Sequence, residues 1–181
     1  MKISRLFFLA LYYGFARWLP VSYIPGGKIA KSLRVFCCRH IFEYCGENVN
    51  VERGASFGVG DKVRLGNNSG IGINARIKRN TIIGDYVMMG PRFVVQESRH
   101  SFDRTDIPMA LQNVLPPQQV IIEDDVWIGA DVMAVGNKRV SGGSILAART
   151  VLVKDFPPFS IVGGNPSRLI RCRKDEITKT P

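Results

Sequence analysis

The chain has 181 residues, 45% of them apolar, and carries 25 Lys and Arg against 15 Asp and Glu for a formal net charge of +10. That length suits one domain with an appended segment and leaves no room for a second catalytic domain, while the apolar share is ample for a core. The charge is uneven, with seven basic and no acidic residues in 1–40, and aromatic residues are not interleaved with basic ones as a nucleic-acid stacking platform requires.

Leu6 to Ala16 reads LFFLALYYGFA between Arg5 and Arg17, eleven apolar-rich residues where a simple membrane span needs about twenty. No small-x-small cleavage site follows before Trp18, Leu19 and Pro20, which argues against a secretory signal. Two placements stay open: a helix packed against the end of the fold or a neighbouring subunit, or a helix lying in a membrane interface through residues 1–24. After the Pro25-Gly26-Gly27 turn, Ile29, Leu33, Phe36, His40, Ile41 and Tyr44 recur at helical spacing and predict a second amphipathic helix. His40 falls on its apolar stripe and reads as a hydrogen-bonded structural histidine. Cys37, Cys38, Cys45 and Cys172 have no metal-type spacing and read as free thiols in a reducing compartment.

From Val59 onward an apolar residue recurs every six positions: Leu65, Ile71, Ile77, Ile83, Met89 and Val95, then Ile122, Ile128, Ala134, Val140, Leu146 and Leu152. Neither a helix of period 3.6 nor a strand of period two gives that beat, whereas a flat-sided β-coil with one side per six residues does. Two positions earlier stand mostly small or β-branched residues such as Val63, Ala75, Thr81 and Val126. Gly60, Gly66, Gly72, Gly84, Gly90 and Gly129 follow inward positions, where freedom of φ would serve a sharp corner.

The beat breaks once. Val95 to Ile122 is not a multiple of six, so the chain leaves the coil over about 97–119 and returns. A loop of that length without periodicity points to function. It holds His100, whose imidazole, with an unperturbed pKa near 6.5, suits a general base at neutral pH. Glu97, Asp103 and Asp106 are candidates to orient that ring or to bind a substrate, or are simply solvated carboxylates.

The segment Ile122-Glu123-Asp124-Asp125-Val126-Trp127-Ile128-Gly129-Ala130, the later Val153-Lys154-Asp155-Phe156-Pro157-Pro158 and the run to Asn165-Pro166 resemble the terminal block of hexapeptide-repeat O-acetyltransferases. The likeness covers about residues 46–172, between an N-terminal helical segment of 1–45 and a basic tail of 173–181. It implies a left-handed parallel β-helix, a hand that general topology rules would not suggest. It also implies a homotrimer with sites between subunits, acetyl-CoA as co-substrate, no metal, and transfer to a sugar or glycan hydroxyl. His-Ser-Phe-Asp at 100–103 matches the family's catalytic loop, with His100 as its base.

On the same resemblance Asn74 matches an asparagine that contacts the acceptor, and is otherwise an ordinary corner residue, since Asn tolerates left-handed angles. Trp127 lies along the pantetheine arm or covers a coil face, Gly129 and Ala130 face the thioester, Ala147 and Ala148 lie along the arm, and Lys154, Arg168 and Arg171 lie near the phosphates. The Ala130 N–H is the candidate oxyanion donor. Departures fall at Gly136–Ser141, which predicts a loosened coil, and at Arg149, Val153 and Gly163. The implied setting is cytoplasmic, with a role in surface-polysaccharide synthesis. Alternatives are acetylation of an antibiotic and an inactive trimeric scaffold, whereas a zinc enzyme of the same fold needs more histidines than His40 and His100.

Overall fold

The computed structural model describes residues 3–97 and 100–175. Helix α1 spans Ile3–Gly14, a short 3-10 turn covers Ala16–Trp18, and α2 spans Gly27–Ile41. Among the described residues no helix is long and apolar enough to cross a membrane. Short strands follow: β1 (Tyr44–Cys45), β2 (Asn50–Val51), β3 (Arg64–Leu65), β4 (Gly70–Ile71), β5 (Ile82–Ile83), β6 (Met88–Met89) and β7 (Val94–Gln96). Beyond the loop come β8 (Val120–Ile122), β9 (Trp127–Ile128), β10 (Met133–Val135), β11 (Lys138–Val140), β12 (Ile145–Leu146), β13 (Val151–Leu152), β14 (Ser160–Gly163) and β15 (Arg168–Cys172).

The pairing is parallel and repeats every 18 residues through the middle of the coil, with Arg64 facing Ile82, Trp127 facing Ile145 and Met133 facing Val151, and every 16 in the last turn, where Ile145 faces Ile161. Three stacks result. The first is β1-β3-β5-β8-β11, the second holds β2-β4 and β6-β9-β12-β14, and the third is β7-β10-β13 continued by the bridges Val94–Arg76–Ser56. Successive strands fall on successive stacks, so the chain runs as a three-sided parallel coil. Leu65, Ile71, Ile83, Val95, Ile122, Ile128, Ala134, Leu146 and Leu152 are all 2% exposed or less, so the six-residue beat is the inward row.

Two details of the coil differ from the sequence expectation. The first turn is 20 residues long, with Tyr44 facing Arg64 and Ser56 facing Arg76. The extra two residues sit between Ser56 and Arg64, so Val59 rides on the bulge at 39% exposed while Phe57 takes the buried place. The glycines after the inward row also do a different job. A Cβ on Gly66 would stand 2.3 Å from the Gly84 carbonyl oxygen, and one on Gly72 2.1 Å from that of Gly90. Gly66, Gly72, Gly84, Gly90 and Gly129 are bare because stacked turns approach closely; of the six Gly60, on the bulge, takes a positive φ of 63°, and the left-handed corners elsewhere fall on Asn68, Asn74, Tyr86, Arg92, Asp125, Asp131 and Arg149. Each of those stands three residues before an inward one. Arg149, at φ 64, shows why a glycine would suit its place.

The expected loosening at Gly136–Ser141 does not occur. Lys138, Arg139 and Val140 pair with Val120, Ile121 and Ile122 in unbroken register, and Gly136 alone takes a positive φ of 78°. At the far end β15 turns back antiparallel on β14, replacing an open parallel edge with a hairpin.

The two helices cap the first turn, which favours packing for Leu6 to Ala16. Tyr12 is fully buried and its hydroxyl donates to the Ala55 carbonyl (3.0 Å), while the Tyr13 hydroxyl donates to that of Gly58 (2.9 Å). The apolar stripe expected of α2 is divided, however: Ile41 is buried and Leu33 packs against the core, while Ile29 and Phe36 face away from the coil. Ile29 is 78% exposed and Phe36 49%, whereas Ala30, Arg34, Cys37, Cys38 and Ile41 are buried. The reason is Arg34, whose Nε donates to the Val51 carbonyl (2.6 Å) and whose Nη1 donates to that of Pro20 (2.9 Å), beside the Glu52 carboxylate at 3.6 Å. His40 stacks on Phe8 (3.9 Å between ring centres) with Nδ1 2.9 Å from the Phe36 carbonyl oxygen, a hydrogen-bonded structural role at an exposed position.

Burial works to raise the Glu52 carboxyl, but hydrogen bonds from Ser22, Asn50 and the Arg53 N–H outweigh it and hold the group below its ordinary value. Its stabilisation is therefore complete above the ordinary carboxylate range and is lost as pH falls through the lowered folded value. Arg34→Ala should cost about 3–5 kcal/mol in urea unfolding, because it leaves the carbonyls of Val51, Leu19 and Pro20 without their donor and Glu52 without its counter-charge. Glu52→Gln should be less stable at neutral pH and show a shallower loss of stability below about pH 4 than the parent chain. Gly72→Ala should lose about 1–3 kcal/mol, whereas Gly14→Ala, with nothing within 4 Å of the added carbon, should change little.

Candidate active site

One corner column of the coil carries Gly54, Asn74, Arg92, Asp131 and Arg149, all at positive φ. The Asn74 side chain lies over Gly54, where an added Cβ would come within 1.9 Å of Asn74 Oδ1. Arg92 bridges up the column to Asp131, with Nη2 2.7 Å from Oδ2, and those hydrogen bonds hold the Asp131 carboxyl below its ordinary range. Beside this column runs a cleft of about 440 Å³ lined by Arg17, Gly54, Asn74, Arg76, Arg92, Val94, Asp131, Val132 and Met133. Arg17 is fixed by Nε donation to the Gly54 carbonyl (3.1 Å) and lies over the Trp18 ring. Asn74 is thus both a corner residue and a cleft residue, and the arginines and Asp131 around it escaped the sequence reading. The column becomes readable only once the turn length is known.

The loop leaves the coil after β7, on the side that walls this cleft. Ser98 and Arg99 lie outside the described residues. His100 is exposed and pairs by an antiparallel bridge with Val114, next to the Ser101 N–H donated to the Asn113 carbonyl (3.0 Å). The loop has a polar staple in Gln112, 8% exposed, whose amide donates to the carbonyls of Arg104 (2.8 Å) and Ile107 (3.2 Å) and accepts from the Arg104 N–H. Asp103 accepts from the Ser101 hydroxyl (3.0 Å), and Asp106 pairs with Arg104. Neither carboxylate is hydrogen-bonded to His100. Glu97 lines a separate cleft of about 470 Å³ with Lys62, Lys78, Arg79 and Asn80. His100 borders neither cleft, so this chain by itself does not join the imidazole to Asn74.

The candidate coenzyme residues line the outer surface between the second and third sides. Trp127, 52% exposed, stands on β9 between Met88 and Ile145 of the adjoining turns. Just past it the stack is bare backbone: a Cβ on Gly90 would lie 2.9 Å from Ala130 N, and one on Gly129 2.6 Å from Ala148 N. Gly129 and Ala147 donate their N–H groups up the stack to Leu146 and Val162, 2.8 Å each. Among the described residues no backbone carbonyl accepts from the Ala130 N–H, which leaves it available as a donor. Val153 N–H donates to Ser167 Oγ (3.2 Å), Lys154 holds its Nζ over the Phe156 ring (5.4 Å to its centre), and Arg168 and Arg171 lie on β15 opposite Gly163 and Ile161. Gly163 accommodates Ile170, whose Cδ1 would be 2.7 Å from an added Cβ.

Other chemistry finds little support. Burial pushes the Cys45 thiol up to about 11 and those of Cys37 and Cys38 upward too, which weakens them as nucleophiles. Among the described residues no three His, Cys, Asp or Glu side chains cluster in a way that would hold a metal.

No family model matches the chain. Over 140 residues it is 29% identical to a chloramphenicol acetyltransferase of Agrobacterium fabrum, covering 76% of this chain and 62% of that protein. It is 26% identical to the galactoside O-acetyltransferase of Escherichia coli K12, covering 74% of this chain and 65% of the relative. The chain therefore spans just under two thirds of these relatives. Among solved structures, a hexapeptide-repeat acetyltransferase of Vibrio cholerae complexed with acetyl coenzyme A aligns with a TM-score of 0.70 at 29% identity, over 78% of this chain and 76% of that one. A galactoside acetyltransferase in complex with coenzyme A shares the fold, with a TM-score of 0.72 at 22% identity over 98% of this chain and 84% of the other. In sequence and in fold, the chain resembles the hexapeptide-repeat O-acetyltransferases.

Proposed function

We propose that this chain is an acetyl-CoA-dependent O-acetyltransferase acting on a sugar or glycan hydroxyl, with His100 as general base. The observation that carries the reading is a solvent-facing imidazole on the one long excursion from a coil whose outer corner offers bare backbone and an uncommitted N–H. The resemblance supplies the left hand of the coil and a homotrimer, whose neighbouring subunit would close the gap between His100 and the cleft around Asn74.

The residues present fit the coenzyme. Gly90, Gly129, Ala130, Ala147 and Ala148 leave a ledge without bulky side chains, with Trp127 below it and Lys154, Arg168 and Arg171 as cations for phosphates. When bound, acetyl-CoA supplies an activated acyl group. His100 takes the proton of the acceptor hydroxyl as its oxygen attacks the acyl carbon, the Ala130 N–H holds the negative charge that develops on the acyl oxygen, and as the carbon–sulfur bond breaks His100 gives that proton to the leaving thiolate. Asn74, with Arg76 and Arg92 on the same cleft wall, orients the acceptor, and Asp103 stabilises the loop next to the base. Surface-polysaccharide synthesis at the inner face of a membrane is the setting we favour, from the basic, apolar N-terminus.

A second reading, transfer to an antibiotic hydroxyl, is favoured by the chloramphenicol acetyltransferases among the relatives. A panel of galactosides, maltose and chloramphenicol with acetyl-CoA separates the two, since kcat/KM should favour the sugars by more than about tenfold. His100→Ala should keep its coil and its coenzyme affinity while kcat falls about 10²–10⁴-fold, and full turnover in that variant would remove the assignment. Replacing Arg168 and Arg171 together by Ala should weaken coenzyme binding about tenfold by calorimetry, with a smaller loss at high salt.

A further inference from the structure

The cap of the coil presents an apolar surface to the outside. α1 turns Tyr12 inward and leaves Ile3 (87% exposed), Leu6 and Phe7 (63% exposed) facing out. α2 turns Arg34, Cys37 and Cys38 inward and leaves Ile29 and Phe36 facing out. The two stripes are continuous. Phe7 meets Phe8 edge-on at 5.3 Å between ring centres, and Phe8 meets Phe36 the same way at 5.5 Å. The inward faces of both helices are held by Arg34 and Tyr12, and the stack of the exposed His40 on Phe8 ties the two helices together.

Charge identifies the occupant. From residue 3 to residue 42 there is no Asp or Glu, while Arg5, Arg17, Lys28, Lys31 and Arg39 are basic in addition to the buried Arg34. Lys28 is exposed at the start of α2, next to Ile29, and Arg39 is exposed near its end, close to Phe36. Trp18 is 59% exposed beyond the end of α1, with the Arg17 guanidinium over its ring. Exposed aromatic and aliphatic side chains fringed by Arg5, Arg17, Lys28, Lys31 and Arg39, with Glu47 on Arg39 (3.1 Å) as a carboxylate paired into that fringe, keep a cationic excess that matches the headgroup layer of an anionic bilayer. A second copy of this face would set cations against cations.

We infer that the outer face of α1 and α2 is a docking surface for an anionic lipid bilayer, on which the coil stands by its capped end. This inference does not depend on the transfer chemistry, and its test uses none.

The full chain is mixed with sedimentable vesicles of phosphatidylcholine alone, or of phosphatidylcholine with one third phosphatidylglycerol, at low and at physiological salt. Binding to the anionic vesicles should be at least about tenfold stronger than to the neutral ones and should weaken with salt. Phe7→Ser with Phe36→Ser should lose about tenfold in affinity with an unchanged circular dichroism spectrum and sedimentation coefficient. Lys28→Glu with Arg39→Glu, which leaves the apolar face intact, should abolish the preference for anionic lipid. Absence of vesicle binding, or equal binding to both vesicle types, overturns the inference. A change of oligomeric size in the phenylalanine variant without vesicle binding also overturns it and assigns the face to a second copy of the chain.

Discussion

Everything in this molecule rests on the close parallel stacking of 18-residue turns. Strands stack about 4.8 Å apart, so each corner of one turn lies directly over the next with room for backbone and little else. Gly66 under Gly84, Gly72 under Gly90 and Gly90 under Gly129 are the direct record of that constraint. Once the turns are held at that spacing, a residue's position in its six-residue side decides its surroundings. Inward rows become a continuous core, corner rows become columns, and side chains in one column meet at 18-residue intervals, at 20 in the first turn, or at 39 across the loop. The Arg92–Asp131 pair and the Asn74–Gly54 contact are both column contacts.

This explains what the sequence made legible. The inward row is chemically uniform, so Leu65 to Leu152 could be read without a structure, as could the excursion around His100. The corner row is not uniform. Asn, Asp, Arg and Tyr all occupy left-handed corners here, so no residue type announces the position. Freedom of φ was expected of glycines one place after the inward row; Gly60 uses it, whereas the constraint on Gly66, Gly72, Gly84, Gly90 and Gly129 is steric. The bulge at Val59 was hidden because an apolar residue happens to keep the beat where the coil does not. Asn74 was read for its motif, while Arg76, Arg92 and Asp131 beside it passed unnoticed because their neighbourhood depends on the turn length.

The N-terminal helices reverse the usual reading of an apolar stripe. Hydrophobic periodicity drew one stripe through Ile29, Leu33, Phe36, His40, Ile41 and Tyr44, of which Ile41 is buried and Leu33 packs on the core while Ile29 and Phe36 face out, and the helix is seated by Arg34, which donates to the carbonyls of Val51, Leu19 and Pro20 and faces Glu52. A buried guanidinium whose Nε and Nη1 donate to three carbonyls, and whose Nη2 faces the Glu52 carboxylate at 3.6 Å, fixes the rotation of the helix more strictly than apolar contact does, because those donors reach their acceptors in one geometry only. Orientation is therefore set by polar contacts inside, and the apolar side chains are left for a partner outside.

The 97–119 excursion has an effect on how such a protein can change over generations. β5 pairs with β8, β6 with β9 and β7 with β10 at one common offset, so the turns on either side meet as if the inserted residues were absent. Lengthening or replacing that appendage therefore leaves the frame's hydrogen bonding untouched, and the entropic cost of closing a longer excursion grows only slowly with its length. Frame and appendage can diverge at different rates, which lets a family keep one architecture while exploring many small-molecule partners.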